Sequence, residues 1–160
     1  MTTALLPITP WASRATADRA VSPDAKVLRD RMELEWGPSV VLGRRYWELE
    51  RVRLEAATAD WDGYGALPVD DLTYRQAKAF LHVLPINIPE PEVAADPDGE
   101  VSLSWRRTPN QVFSVSIGGT GRLSYAGLFG DRTVHGTEYF IDELPQPVEA
   151  SLSRLFPAGI

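Results

Sequence analysis

The residues best suited to chemistry surround the second of the chain's two histidines. His135 lies within residues 131–138, so an imidazole base, the acid Glu138 and a basic side chain occur in one predicted strand and its approach. Together with Asp62 and Arg106 they define one hypothesis, a small hydrolase or nucleic-acid-processing enzyme. Alternation along a strand, however, places His135 and Glu138 on opposite faces. A structural, hydrogen-bonded histidine is the competing interpretation.

The composition excludes most other reactive centres. The chain has no cysteine and only two histidines, which excludes thiolate nucleophiles, disulfides, cysteine-bound zinc and any multi-histidine metal centre. The acids within residues 60–71 lack the oxygen-ligand spacing of a calcium loop and are predicted to cap helices and turns. The glycine run 118–121 lacks the lysine of a phosphate loop, so it is predicted to be a hairpin turn. We therefore expect no metal and no cofactor.

Length and charge narrow the class of partner. The chain has 160 residues, a hydrophobic share of 44%, a net charge of -6 and a pI near 4.9. This acidity disfavours binding to phosphate backbones, so a nucleic-acid partner is not expected. The apolar stretch 4–8 is too short and too broken by proline for a signal or a membrane span. We expect a cytoplasmic protein without a membrane partner, and the sequence leaves its oligomeric state open.

Helical periodicity dominates the first half of the chain. Residues 1–21 contain two prolines and no apolar period, which predicts a flexible N-terminal arm carrying Trp11, while residues 22–160 are predicted to form one domain. Three helices are expected in that domain: about 22–36, one capped by Ser39, and one capped by Asp70 or Asp71 and ended by Pro85. On the second, four arginines interleave with glutamates and predict a solvated face: Arg44, Arg45, Arg51 and Arg53.

The period changes to two after Pro91. Val101, Leu103 and Trp105 alternate with polar residues, and turns are predicted at 97–99 and 118–121. A last strand is expected over 134–140, followed by a short helix after Pro145. Helices, then consecutive hairpins, then a helix give an α+β fold: N-terminal helices, an antiparallel meander of four to five strands, and a short C-terminal helix. If the apolar residues face inward, Ser102, Ser104 and Arg106 face outward.

The segment that joins these halves is an aromatic corner, residues 60–68. Its two glycines and two aspartates are typical of a fixed turn, and Trp61 and Tyr64 supply a large apolar area. We expect Trp61 to pack on the third helix or the sheet. As binding candidates we take Trp61, Tyr64, Ser102, Ser104 and Arg106.

Four short stretches carry a resemblance. They are Trp61-Asp62-Gly63-Tyr64-Gly65-Ala66 with Pro68, the run Asp98-Gly99-Glu100-Val101-Ser102-Leu103-Ser104-Trp105-Arg106, Tyr125-Ala126-Gly127, and His135-Gly136-Thr137-Glu138. They resemble a family of small uncharacterised bacterial proteins that share the Trp-Asp-Gly-Tyr-Gly-Ala motif. The resemblance covers about residues 58–156, and it implies a bacterial domain with this order of elements, in which the matched residues act together. It implies no reaction.

The first hypothesis for function is a non-enzymatic bacterial interaction protein, of the antitoxin, immunity or inhibitor type, that binds another protein through the corner and the polar face of the sheet. The enzyme built around His135 is the alternative. A structural or regulatory subunit is a third possibility. The position of His135 relative to Asp62 and Glu138 discriminates the first two.

Overall fold

Two helices open the described part of the chain, residues 42–157 of the computed structural model. α1 covers residues 42–55 and α2 covers Asp71–Val83. Asp70 caps α2, because its Oδ1 accepts a hydrogen bond from Thr73 N–H at 2.7 Å. Leu84 then takes an extended backbone ahead of Pro85, and the helix ends where the proline predicts.

Five strands follow, and they form one antiparallel sheet. The elements are β1 (Glu92–Ala95), β2 (Val101–Thr108), β3 (Gln111–Ile117), β4 (Arg122–Phe129), β5 (Arg132–Tyr139) and a closing helix, α3 (Gln146–Leu155). The strand order in the sheet is the order in the chain, so the predicted meander and the α+β class are confirmed. Both predicted turns are present: Gly99 N–H donates to Asp96 O at 3.0 Å, and Gly121 N–H donates to Gly118 O at 3.0 Å.

The helices cover one face of the sheet, which we call the inner face. Val101, Leu103 and Trp105 point to it and are buried, as the alternation predicts. α2 packs on β2 and β3, and α3 packs on β3 and β4. The apolar residues of α3 (Val148, Leu152 and Leu155) join the same core as those of α2 (Ala77, Phe80 and Leu81). The other face of the sheet, the outer face, carries no helix of residues 42–157.

Arg45 corrects the prediction that the arginines of α1 form a solvated face. Its side chain is buried at 2% exposure, and its guanidinium donates to four carbonyl oxygens: Leu81 at 3.4 Å, Leu84 at 3.3 Å, Pro85 at 3.4 Å and Ile88 at 2.6 Å. These bonds join α1 to the C-terminal end of α2, where the helix dipole favours a cation. Burial lowers the pKa of the Arg45 guanidinium, and the nearby Glu90 carboxylate acts in the opposite direction.

Arg44 and Arg51 follow the prediction of a solvated face. Arg51 pairs with Glu48 at 3.0 Å and with Glu55 at 2.7 Å, and all three side chains are exposed. Arg44 lies 3.3 Å from Glu90. The arm 1–21 with Trp11 and the predicted helix 22–36 lie outside the described residues. Within residues 42–157, no helix has the length and hydrophobicity needed to cross a membrane.

Candidate functional site

The corner is a closed loop with a fixed backbone. Asp60, Gly63 and Gly65 have φ values of 62°, 76° and 89°, in the left-handed region that glycine tolerates and most other residues avoid. Asp60 N–H donates to Ala66 O at 2.8 Å, which closes the loop, and Gly63 N–H donates to Asp60 O at 3.0 Å. The glycines of the motif are thus explained by the backbone geometry of this turn.

Two carboxylates hold the inside of the loop. Asp60 Oδ1 accepts from Gly65 N–H at 2.7 Å, while Asp62 Oδ1 accepts from Tyr64 N–H at 2.8 Å and from Ala66 N–H at 3.1 Å. Here the short aspartate side chains reach backbone donors two to five residues ahead, which stabilises the turn. Asp62 therefore serves as a hydrogen-bond acceptor within its own loop.

The two aromatic residues of the corner have opposite environments. Trp61 is half-buried against the core, and its Nε1–H donates to Leu67 O at 3.0 Å. Tyr64 is 94% exposed. The prediction that the corner is anchored is thus borne out by Trp61, whereas the ring of Tyr64 contributes little to that anchoring.

Backbone hydrogen bonds fasten the corner to the rest of the fold. Leu67 N–H donates to Pro97 O in the β1–β2 turn at 2.8 Å, and Val69 N–H donates to Ala56 O at the end of α1 at 3.0 Å. The loop is therefore fixed both to the sheet and to the helical layer. Tyr64 is displayed from a rigid support.

On the outer face, the serines are engaged with one another and with acids. Ser104 Oγ lies 2.8 Å from Ser114 Oγ. Ser102 Oγ donates to Asp96 Oδ1 at 3.0 Å, and Ser116 Oγ lies 2.7 Å from Asp96 Oδ2 and 2.9 Å from Glu100 Oε2. Ser102 and Ser104 are half-buried and Arg106 is exposed, so the predicted outward orientation of this row is correct.

Strand register arranges small side chains in a line across the outer face. The directly paired residues, from β1 to β5, are Glu92, Ser104, Ser114, Ala126 and His135. Two shallow depressions, of about 490 Å³ and about 510 Å³, lie along this line and share Val112 and Ser114 as lining residues. Arg106 lines the first depression and His135 the second. The outer face is thus a slightly concave surface of mixed polarity, and its floor consists of short side chains.

The candidate catalytic residues are not brought together. His135 is exposed on the outer face, and Glu138 is half-buried on the inner face, where it pairs with Leu123. Asp62 belongs to the corner, which is hydrogen-bonded to the β1–β2 turn at the opposite edge of the sheet from β5. In residues 42–157, no group of three His, Asp or Glu side chains is placed to hold a metal ion.

The other histidine borders a separate cleft. His82 Nδ1 lies 2.8 Å from Tyr46 Oη, and Lys78 Nζ lies 5.1 Å from the centroid of the Tyr46 ring. The cleft measures about 480 Å³, and its apolar floor includes Phe140 and Val83. None of the residues that the sequence singled out as site candidates lines it.

The motif glycine Gly136 has a packing explanation. It pairs with Tyr125, and a Cβ at this position would overlap the Tyr125 ring. Similarly, a Cβ on Gly127 would lie 2.9 Å from Phe113 Cδ2. The stretches around Tyr125 and His135 are therefore linked through ring-on-glycine packing on the inner face, which alternation alone did not predict.

The structural role of Arg45 was not predicted from the sequence. Its position in the sequence could have indicated that it is buried, because residues 45, 49, 52 and 56 recur in helical steps along the buried face of α1. Comparison with known proteins adds no assignment, because no family model, no curated protein and no solved structure matches the chain.

Proposed function

We propose that the protein is a non-enzymatic interaction protein, of the antitoxin, immunity or inhibitor type, which binds a partner protein in the bacterial cytoplasm. The observation that carries the proposal is Tyr64, whose side chain is 94% exposed on a loop that Asp60 and Asp62 hold rigid.

Tyr64 lies outside the hydrophobic core. Since its ring buries almost no surface, it contributes little hydrophobic free energy to folding. A tyrosine displayed on a fixed backbone does, however, bind at low entropic cost, because only its side-chain torsions remain to be ordered. Tyrosine is also one of the residue types in which interface binding energy is concentrated.

The surroundings favour a protein partner. Leu67 in the same loop and Leu72 in the first turn of α2 are exposed at 56% and 59%, which adds apolar surface on neighbouring segments. A complementary partner would offer an apolar pocket for the Tyr64 ring and a polar group for its hydroxyl. The outer face, which no helix of residues 42–157 covers, carries Arg106 and supplies a second surface for contact.

A photo-crosslinking experiment in cells tests the proposal. Benzoylphenylalanine replaces Tyr64, which keeps an aromatic ring at that position, and the matched control places it at Trp47, an aromatic residue of α1 that is 69% exposed. After irradiation we expect a discrete adduct, heavier than the 17.7 kDa chain, from position 64 and not from position 47. No adduct from position 64, or the same adducts in the same yield from both positions, would overturn the proposal.

The purified partner from such an adduct then gives a quantitative test. We expect Tyr64→Ala to weaken its binding about tenfold or more, as for a central interface tyrosine. Trp47→Ala serves as the control and leaves the affinity unchanged. The unfolding midpoint of the Tyr64→Ala chain should match that of the wild type, because the exposed ring supports no core contact.

A further inference from the structure

The two edges of the sheet differ in how well they are protected. β1 has four residues and is preceded by Pro89 and Pro91 and followed by Pro97, so this edge is short and flanked by residues that cannot extend pairing. β5 has eight residues, contains neither proline nor lysine, and among the strands of residues 42–157 it is flanked by β4 alone. Its two charged residues, Arg132 and Glu138, lie on the inner face, and a long edge strand without proline can template further strand pairing.

The hydrogen-bond register shows which backbone groups of β5 are directed to the open edge. Phe140 N–H donates to Gly121 O at 2.8 Å. In the antiparallel pairing, the even-numbered residues of β5 therefore form their backbone hydrogen bonds with β4. The N–H and C=O groups of the odd-numbered residues therefore point away from the sheet. These residues are Thr133, His135, Thr137 and Tyr139, and all four are exposed.

The side chains of β5 are complementary to those of a second, antiparallel β5. When a two-fold axis passes through His135, each Arg132 lies opposite Glu138 of the other copy, on the inner face, and the pair occurs twice. In the same register Thr133 lies opposite Thr137, which is a favourable cross-strand pair. Within one chain, Arg132 and Glu138 are six residues apart on a strand, about 20 Å, so they cannot pair with each other.

We propose that β5 is a dimerisation edge, at which two copies of this chain pair antiparallel in the register centred on His135 and join their sheets into one. The occupant is a second copy because the reciprocal Arg132 and Glu138 contacts require both residues from an identical strand. The proposal does not rest on Tyr64, which lies in the corner.

A proline substitution tests the backbone part of the proposal. His135→Pro removes an N–H that is directed to the open edge and leaves the β4 ladder intact. We expect wild-type protein to show a monomer–dimer equilibrium by sedimentation from low micromolar to submillimolar concentrations, and His135→Pro to sediment as a monomer with an unchanged circular dichroism spectrum. A wild-type chain that is monomeric over this range would overturn the proposal.

Charge reversal tests the register of the proposed dimer. This test remains valid even where the proline variant does not fold. Arg132→Glu and Glu138→Arg each place like charges opposite one another twice, so each alone should raise the dimer dissociation constant about tenfold or more. Mixing the two variants restores opposite charges at both positions, and we expect a heterodimer with wild-type affinity. Dimers that are insensitive to the single reversals, or a mixture that remains monomeric, would rule out this register.

Discussion

The side chain of Asp62 fixes the backbone of Tyr64: its Oδ1 accepts the Tyr64 N–H at 2.8 Å. The same oxygen accepts the Ala66 N–H at 3.1 Å, and Asp60 accepts the Gly65 N–H between them. Three consecutive donors are thus bound by two carboxylates. Asp62, which the sequence offered as a catalytic candidate, instead determines how the most exposed aromatic ring of the corner is displayed.

We expect Asp62→Ala to lower the free energy of unfolding by about 1–3 kcal/mol, because it removes both hydrogen bonds and leaves two backbone donors without their acceptor. Asp62→Asn retains a carbonyl oxygen at the same place and should lower the free energy of unfolding by less. Urea unfolding gives the free energies, and hydrogen exchange at the Tyr64 amide reports the loop directly. An Asp62→Ala chain with wild-type protection at Tyr64 would contradict this account.

Trp61→Ala should cost about 1.5–3 kcal/mol, less than the 3–5 kcal/mol typical of a fully buried aromatic residue, because Trp61 is only half-buried. Trp61→Phe keeps most of the packing but removes the donor to Leu67 O, at about 0.5–1.5 kcal/mol. Thermal and urea unfolding measure both. We expect stability to rise from Trp61→Ala to Trp61→Phe to the wild type. A Trp61→Ala variant with the wild-type midpoint would show that this side chain does not anchor the corner.

Arg45 and Arg44 form a matched pair for testing the buried guanidinium. Arg45→Ala should destabilise the protein by about 2–4 kcal/mol, since it leaves several buried carbonyls without a donor and opens a space between α1 and α2. Arg44→Ala removes only an ion pair to Glu90 from a side chain that is 74% exposed, so its effect should lie within about 0.5 kcal/mol. Equal unfolding free energies for the two variants would refute the structural role of Arg45.

Arg106→Glu tests whether a partner also covers the outer face. We expect severalfold weaker binding of the partner identified through Tyr64, because a guanidinium suited to acidic or carbonyl-rich surfaces becomes a carboxylate. Arg75→Glu, the same change at an exposed position of α2, should leave the affinity unaltered. Unaltered binding by the Arg106 variant would remove the outer face from the interface. A His135→Ala chain that alone loses a measurable turnover would instead favour the enzyme hypothesis.

The sequence predicted those parts of the fold that depend on local pattern. Alternation placed Val101, Leu103 and Trp105 on the inner face, because burying an apolar face is the dominant favourable term in folding. Strand order also followed, since short turns connect neighbouring antiparallel strands.

Contacts between distant segments were not predictable in this way. Ser116 meets Asp96 only because β3 pairs with β2 in one register, and a shift of one residue would move the serine to the other face. Arg45 was expected to face solvent because it is charged. In the structure, carbonyl oxygens of α2 and of its C-terminal connector accept hydrogen bonds from both terminal nitrogens of its guanidinium.

The position of α3 determines when the hydrophobic core is completed during synthesis of the chain. The chain leaves the sheet at its edge strand, β5, and returns so that α3 covers β3 and β4. Arg154 lies 4.5 Å above the Phe129 ring, and Arg107 donates to Leu155 O at 3.1 Å, which ties the helix to strands that were synthesised well before it. On the ribosome, all five strands therefore emerge while the apolar centre of the sheet still lacks part of its cover. The core is completed only when residues 146–155 have left the exit tunnel.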